Sequence, residues 1–270
     1  MNGMNHLKQS IKGVWKRILL IGLALFLFEM IFPLLATSTN IKTEMLKDLK
    51  DAPAVAQKIL GEGFMEAVLK YGIITFGFIH PFMFTLFILY IFSAFWQVLT
   101  AEITSGTIGF TLSRPISRKR IFLNLAVVVY CGLAILIVFS LLSTTLGVVI
   151  FQGGELSLTP FISLGWNLYL LMIFIAGYIA LFSSFSDSGK KFFTYSSIML
   201  FLFYILDLLT NLWQPLKIVA PINPFSYYSP MKILVGFRIS FSQSLSILTV
   251  SAVMFIISAL IFNRRDLPSG

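Results

Sequence analysis

The sequence has few charged residues, two histidines and a single cysteine. Only 11% of its 270 residues are charged, whereas 57% are hydrophobic and the mean hydropathy is +0.90. An average soluble domain has about 25% charged residues, so this composition excludes a soluble domain and indicates an integral membrane protein. Because the cysteine, Cys131, lies alone in an apolar run, it excludes a disulfide framework, and we expect it to be a small core residue.

Catalytic and nucleotide-binding motifs are also missing. His6 and His80 belong to no H-E-x-x-H motif and to no cluster of metal-ligating residue types. The stretch 184–191 (SFSDSGKK) is the nearest approach to a phosphate-binding loop, but it lacks the first glycine and the Ser or Thr after the lysine. We therefore predict no catalytic residue, no metal site and no cofactor in this chain, and no ATP binding by the chain itself.

Long apolar runs are what the sequence has instead. A helix that crosses a membrane needs about 20 mostly apolar residues, and six runs are long enough. Inside lipid such runs form helices, because a helix satisfies its own backbone hydrogen bonds. The sequence therefore predicts a single all-α integral membrane domain, residues 1–270, with six transmembrane helices. The predicted spans are residues 18–37, 72–100, 121–151, 161–185, 192–213 and 245–262.

Basic residues form short clusters beside the apolar runs and give the chain a net charge of +9. A nucleic-acid surface would need a continuous basic face, so we expect no nucleic-acid partner. Short loops rich in lysine and arginine stay in the cytoplasm, which predicts two cytoplasmic termini in a bacterial cell (plasma) membrane and an extracellular loop at 38–71. The clusters are Lys8, Lys12, Lys16 and Arg17; Arg114, Arg118, Lys119 and Arg120; Lys190 and Lys191; and Arg264 and Arg265.

Two segments outside the predicted spans are not ordinary loops. In 4–17, apolar and lysine side chains fall on opposite faces of a helix, which predicts an amphipathic helix along the inner leaflet or against a cytosolic partner. Segment 214–244 is too apolar for a solvated loop, and its prolines forbid one continuous helix. Such a segment can enter the membrane where protein covers its backbone, so we predict a re-entrant segment there. The apolar face of the first segment is Leu7, Ile11, Val14 and Trp15.

Three ionisable residues lie inside predicted spans, namely Glu29, His80 and Asp207. With cytoplasmic termini, all three fall in the outer half of the bilayer. Placing a charge at the centre of a membrane helix costs about 2.5 to 3.5 kcal/mol on insertion scales, so such residues need a partner or a wet cavity. They stabilise contacts between helices or reach the interface, they line a transport pathway, or they relay protons, and the sequence leaves these interpretations open.

A polar, basic stretch at 101–120 separates the second and third predicted spans. Glu102 to Ser113 has a helical composition, and Pro115 ends that helix because the residue before a proline avoids the α region. A basic group follows and can bind anionic headgroups. A lipid anchor would need only those charges, whereas this stretch also carries an acidic residue and a Ser-Gly-Thr turn. A docking element for a soluble partner is therefore the alternative to an anchor.

The same stretch resembles the loop between spans two and three in permease subunits of the ABC-2 exporter family. The shared pattern is E-x-x-x-G-T followed by L-S-R-P-x-S-R, and 223–236 (NPFSYYSPMKILVG) resembles the P-F-x-Y-x-x-P segment before the last span of those permeases. The resemblance implies an ABC-2 (type V) exporter-like fold with a cytoplasmic coupling helix. The coupling residues that it implies are Glu102, Ser105, Gly106, Thr107, Phe110, Ser113, Arg114, Pro115 and Arg118.

The function implied by the resemblance is that of a permease subunit in an ATP-driven exporter. Its expected partners are a cytosolic ATP-binding-cassette ATPase, which holds the ATP and Mg, a second permease copy in a homodimer or related heterodimer, and the lipid bilayer. Glu102 and Arg114 would make polar docking contacts, while Arg118, Lys119 and Arg120 would hold the chain at the lipid surface. A different class, an ion-gradient-driven transporter or channel that uses Glu29, His80 and Asp207, is the alternative.

Overall fold

The structure, a computed structural model, describes residues 3–38, 64–106, 117–153 and 157–265, together with Glu44, Lys47 and Pro53. Helices account for most of these residues, and the long ones are the apolar runs of the sequence. The helices are α1 (Gly3–Leu35), α2 (Phe64–Tyr71), α3 (Ile74–Gly77), α4 (Pro81–Phe95), α5 (Ala101–Thr104), α6 (Arg118–Gln152), α7 (Thr159–Phe185), α8 (Gly189–Leu212), α9 (Pro230–Leu234) and α10 (Phe241–Arg264).

Six of the helical stretches are long and apolar enough to cross a membrane. The prediction of an all-α membrane protein with six candidate spans is therefore confirmed. Their ends differ from the predicted ones by a few residues, except that the first begins ten residues earlier, at Lys8 rather than Ile18. Spans 1 to 6 are Lys8–Leu35, Ile74–Thr104, Arg118–Gln152, Thr159–Phe185, Gly189–Leu212 and Phe241–Arg264.

Spans 1 and 3 run parallel and make the most extensive helix contact in the fold. Small residues let the two backbones approach closely, as is usual between membrane helices. A Cβ on Gly22 would lie 2.7 Å from the ring of Phe139, and one on Gly147 would lie 2.6 Å from Pro33. Between these points the Ser143 hydroxyl donates a hydrogen bond to the carbonyl of Phe26.

Spans 4 and 6 form a second parallel pair. Ser251 is fully buried, and its hydroxyl donates to the carbonyl of Ile173 at 2.7 Å. Toward the start of both helices, the indole N–H of Trp166 donates to the hydroxyl of Ser244 at 3.2 Å. Because each side-chain hydrogen bond satisfies a polar group away from water, these contacts hold the register of the two helices.

Span 2 lies between the two pairs and is not a regular helix. Helix α3 ends at Gly77, and the chain resumes at Pro81 with His80 as the N-cap residue, whose Nδ1 accepts from the Phe82 N–H. Residues Trp96–Thr100 then form a π-helical turn, in which the Ala101 N–H bonds the Trp96 carbonyl five residues back. Turns of this kind widen a helix and are frequent at functional positions.

The N-terminal segment differs from the predicted separate amphipathic helix over 4–17. It is the first part of α1, which continues without a break into the apolar run. Two hydrogen bonds hold Arg17 against span 2, one to the Ser93 carbonyl and one to the Gln97 amide oxygen, both at 3.1 Å. Val14 is buried there, whereas Ile11 and Trp15 are half exposed. These polar contacts give the segment a partner inside the protein.

Two further expectations concern the region before span 2 and the cysteine. Of the predicted loop 38–71, the structure describes mainly α2, which packs through Phe64, Val68 and Tyr71.

Cys131 was expected in the core, and this prediction is wrong, because its side chain is exposed. An apolar residue on the outer face of a membrane helix meets lipid, so the composition of a span does not separate its core side from its lipid side.

Candidate functional site

The end of span 2 that carries Glu102 is the centre of the candidate site. The regular helix stops at Thr104, and Ser105 and Gly106 form a turn in which Gly106 has φ +71°. A glycine in this left-handed conformation commonly ends a helix. The prediction of one helix from Glu102 to Ser113 is therefore wrong at its start, because Glu102 belongs to the last turn of span 2.

An open depression of about 380 Å³ lies at this end of span 2. Glu102 is half-buried at its wall, and the ion pairs found among the described residues are both made by Asp187, elsewhere on this surface. Glu102 therefore borders the depression. The lining residues are Trp96, Ala101, Glu102, Thr104 and Ser105.

A direct contact joins this end of span 2 to the start of span 5. The Gly189 N–H donates to the hydroxyl of Thr104 at 2.8 Å. A side chain at position 189 would meet Trp96, since a Cβ there would lie 2.5 Å from the indole ring. The Trp96 ring also packs on Phe193 at 5.6 Å between ring centroids. Movement of the span 2 end would therefore reach span 5 without an intervening element.

A charged cluster follows on the same surface, in the turn between spans 4 and 5. Asp187 pairs with Lys191 at 3.1 Å and with Arg265, the residue that follows span 6. The hydrogen bond from Lys191 and the positive charge of Arg265 lower the pKa of the Asp187 carboxyl. Arg265 also donates to the carbonyls of Ser186 at 2.9 Å and Ser184 at 3.2 Å, so it ties span 6 to the end of span 4.

Arg118 links span 3 to span 6 on the same surface. Its guanidinium donates to the Arg265 carbonyl at 2.6 Å and lies 3.4 Å from the carbonyls of Phe262 and Asn263. A cation at the carboxyl end of a helix satisfies carbonyls that have no partner within the helix and complements its dipole. We expected Arg118 to bind lipid headgroups, whereas its hydrogen bonds go to protein. Lys119 and Arg120 are exposed.

These contacts define what we call the basic-end layer, made of Thr104, Arg118, Asp187, Gly189 and Arg265. Four spans meet in it, namely spans 2, 3, 5 and 6. Sequence reasoning found Arg118 but gave no role to the other four residues. The stretch SDSGKK was available as a signal, since a serine before a helix caps it, and Ser188 does accept from the Lys191 N–H at 3.4 Å.

The predicted coupling residues are only partly described. Glu102, Ser105 and Gly106 lie together at the end of span 2, and Arg118 begins span 3. The remaining ones lie outside the described residues, so no position is given for them. These are Thr107, Phe110, Ser113, Arg114 and Pro115.

The three ionisable residues of the predicted pathway occupy different surroundings. Glu29 is buried with 1% exposure. His80 is exposed and caps a helix. Asp207 is half-buried and hydrogen-bonded by Ser226. No ion pair joins any two of them in the described part of the chain.

The segment between spans 5 and 6 folds back over the ends of several helices. Its Asn223 is fully buried and donates to the Phe203 carbonyl of span 5 at 3.0 Å. Its Tyr228 hydroxyl donates to the Phe78 carbonyl, in the break of span 2, at 2.7 Å. From span 4, Asn167 donates to the Tyr227 carbonyl at 2.8 Å and accepts from the Ser229 N–H at 3.0 Å. The part from Asn223 to Ser229 is thus held against the helices, whereas Gln214–Ile222 has no buried residue.

Replacing Asn167 by leucine should loosen this segment. The change removes both hydrogen bonds and leaves the Ser229 N–H and the Tyr227 carbonyl without these partners, at a cost of about 1 to 3 kcal/mol for each buried group. The melting temperature of the purified protein in detergent should fall by several degrees. Asn211→Leu is the matched control, because Asn211 is exposed at the end of span 5. Equal melting temperatures for the two variants would show that Asn167 does not anchor the segment.

The helices and their connections define the class of the protein, a multi-pass α-helical membrane protein. The chain belongs to the family described as "Protein of unknown function (DUF2705)", whose model matches residues 60–268. That match covers spans 2 to 6 and the basic-end layer. No curated protein matches the sequence significantly.

Proposed function

We propose that this chain is the membrane-spanning permease subunit of an ATP-driven exporter of the ABC-2 type. It would act as a dimer, with ATP and Mg held by two separate cytosolic ATPase subunits. One observation carries the proposal. The end of span 2 that carries Glu102 borders an open depression, and it is hydrogen-bonded to span 5 through Thr104 and Gly189.

A displacement of Glu102 would be transmitted through the contacts of the basic-end layer. The Thr104 hydroxyl accepts a hydrogen bond from the Gly189 N–H. Two residues before Gly189, Asp187 forms an ion pair with Arg265. The Arg265 carbonyl in turn accepts a hydrogen bond from Arg118. Spans 5, 6 and 3 would therefore respond to a displacement of span 2. ATP binding can shift the membrane part only as far as the docked ATPase favours one arrangement over another.

The distribution of lysine and arginine supports the membrane orientation that this proposal requires. Lysine and arginine residues gather at the helix ends around the basic-end layer, which is the arrangement expected on the cytoplasmic side of a bacterial cell membrane. The segment 214–240 would then be extracellular and re-entrant. Its Asn223 contacts Phe203, nine residues before the end of α8 at Leu212, or roughly 14 Å along a helix that rises 1.5 Å per residue.

Co-purification tests the proposal directly. Tagged full-length protein, extracted from its native membrane in mild detergent, should retain an ATP-binding-cassette ATPase and should show ATP hydrolysis only while that subunit is present. Protease added to sealed right-side-out vesicles should leave the 105–120 connection intact, and inverted vesicles should expose it. Cleavage of this connection from the outside, or repeated absence of an ATPase, would contradict the proposal.

The alternative is a transporter or channel driven by an ion gradient through Glu29, His80 and Asp207. The burial of Glu29 is the observation that favours it. Transport in this case would continue in vesicles without ATP and would respond to an imposed gradient. The exporter proposal has the stronger support, because among the described residues no ion pair links Glu29, His80 and Asp207, and the Glu29 carboxyl has no hydrogen-bond partner.

A further inference from the structure

Glu29 is a buried acid that has no part in the basic-end layer. It lies in span 1, six residues before the end of α1 at Leu35, and its exposure is 1%. Neither carboxyl oxygen has a hydrogen-bond partner among the described residues. A buried polar group without a partner is rare in proteins, and it calls for a specific explanation.

The carboxyl group packs against the broken part of span 2. A Cβ on Gly77 would overlap Glu29 Oε2 and would lie 3.0 Å from the ring of Phe32, so the carboxyl group lies directly against the backbone of helix α3. The same break exposes the Phe78 carbonyl, which accepts from Tyr228 at 2.7 Å. Glu29 is therefore enclosed by span 1, helix α3 and the segment between spans 5 and 6.

No cation from the described part of the chain compensates a charge at this position. Titratable side chains on the elements packed near it include Tyr228, whose hydroxyl hydrogen goes to Phe78, and His80, whose ring lies 5.2 Å from that of Phe28. His80 is exposed, and its Nδ1 already accepts from Phe82. Span 3 packs against span 1 near Glu29, where the Ser143 hydroxyl donates to the Phe26 carbonyl and Gly147 lies against Pro33. Neither Ser143 nor Gly147 is charged.

We infer that Glu29 is a proton-binding site that is occupied in the packed arrangement described here. A neutral carboxylic acid can be buried among apolar groups at moderate cost, whereas an unpaired carboxylate cannot. Release of the proton therefore requires water or a cation to reach the carboxylate. The enclosing contact with Gly77 and Tyr228 must open for this to happen, so proton release is coupled to separation of span 1 from the break in span 2.

A bound metal cation does not account for the site as well as a proton does. Hard cations such as Ca²⁺ take six to eight oxygen ligands, and Mg²⁺ takes an octahedral set of about six. The described residues contain no group of His, Cys, Asp or Glu side chains suited to hold a metal ion. The Tyr228 oxygen is near but belongs to a hydroxyl whose hydrogen is already donated. A proton needs only the carboxyl oxygen itself.

This inference goes beyond the proposed function, because ATP-driven export by itself requires no proton. It predicts that the contact around Glu29 is stable at acidic and neutral pH and opens as pH rises. The sign follows from linkage. The proposed packed state holds a proton that the opened state releases, so the packed state binds more protons and loses stability as pH increases.

Infrared spectroscopy of the purified full-length protein in lipid nanodiscs tests this directly. Wild type at neutral pH should show a protonated carboxyl C=O band from a buried group, and Glu29→Gln should lack that band. Asp207→Asn and His80→Gln are the controls, and both should retain it. Absence of the band from wild type at neutral pH would overturn the proposal, and this result does not depend on whether any variant folds.

Thermal unfolding provides a second measurement. The melting temperature of wild type should fall as pH rises above the ordinary glutamate value of about 4.3, and Glu29→Gln should remove part of that fall, because its amide cannot ionise. The same pH dependence in both proteins would contradict the proposal. A wild-type melting temperature that rises with Na⁺ or K⁺ concentration, and does so only when Glu29 is present, would identify a cation site and also overturn it. Neither result bears on whether an ATPase co-purifies.

Discussion

If the chain is the permease subunit proposed above, replacing Glu102 by arginine should reduce ATP-driven export by roughly tenfold or more, equivalent to a loss of at least about 1.4 kcal/mol of coupling free energy. Glu102 is half-buried at the wall of the open depression, so the change need not disturb the core. It would replace a carboxylate with a cation at the end of the bundle where Arg118 and Lys190 already lie. A partner that docks by pairing with Glu102 would then be repelled.

The measurements for this variant are export, ATPase stimulation and the amount of protein in the membrane. Export and stimulated hydrolysis should fall while the amount stays normal. Glu102→Gln should have a smaller effect, because it removes the charge without reversing it. Glu66→Arg is the matched control, since Glu66 is an exposed acid on α2, away from the basic-end layer. Normal export by Glu102→Arg at normal abundance would show that the docking contact lies elsewhere.

Replacing Gly132 by valine should destabilise the fold more than any other change considered for this chain. The hydroxyl of Tyr90 lies against Gly132 and donates to the Val128 carbonyl at 2.6 Å. A Cβ at position 132 would overlap that hydroxyl. Overpacking costs about 1 to 3 kcal/mol, and displacing a buried hydrogen-bonded hydroxyl adds about 1 to 3 kcal/mol.

Thermal unfolding in detergent, together with size-exclusion profiles of fresh extracts, measures this effect. Gly132→Val should give a strongly lowered melting temperature or aggregated protein. The control is Cys131→Val, because the neighbouring Cys131 side chain is exposed and has room for the change. A double variant with Tyr90→Phe should recover part of the loss, since it removes the atom with the closest overlap, although the ring carbon Cζ, which also overlaps, remains. An unchanged melting temperature for Gly132→Val would mean that span 2 and span 3 are not in close contact at Tyr90.

The number and placement of the candidate spans could be predicted from the sequence. Runs of apolar residues longer than a bilayer is thick have few alternatives to a helix, so five of the six begin and end within a few residues of the predicted positions. The exception is span 1. Its lysine-containing start was predicted to lie along the inner leaflet or against a cytosolic partner. In the structure it is continuous with the apolar run, and Arg17 has two hydrogen-bond acceptors on span 2.

The interior of span 2 could not be predicted in the same way. Its composition is mostly apolar from Ile74 to Leu99. Pro81, which follows the break after Gly77, is typical of a helix start, but the run was predicted as one continuous span, and nothing in the pattern marks the π-helical turn at Trp96–Thr100. Both irregularities depend on partners far away in the chain. Tyr228 covers the carbonyl at the break, and Arg17 binds the Ser93 carbonyl before the turn.

The candidate site, too, could be predicted only in part from the sequence. Glu102 stood out in the sequence as an acid in a basic stretch, but its neighbours did not. Thr104 and Gly189 are 85 residues apart, and Arg118 and Arg265 are 147 residues apart. Side-chain hydrogen bonds over such separations leave no periodic signal.

The sequence by itself determined that this protein crosses a membrane and how many helices can do so, because transfer of long apolar runs from water to lipid depends on composition and length alone. The tertiary structure decided which polar groups meet. It joined Thr104 to Gly189 and Arg118 to the end of span 6, and it enclosed Glu29 without a partner. Hydrogen bonds and close packing depend on distances of a few ångströms between helices, and those distances exist only once the helices have assembled.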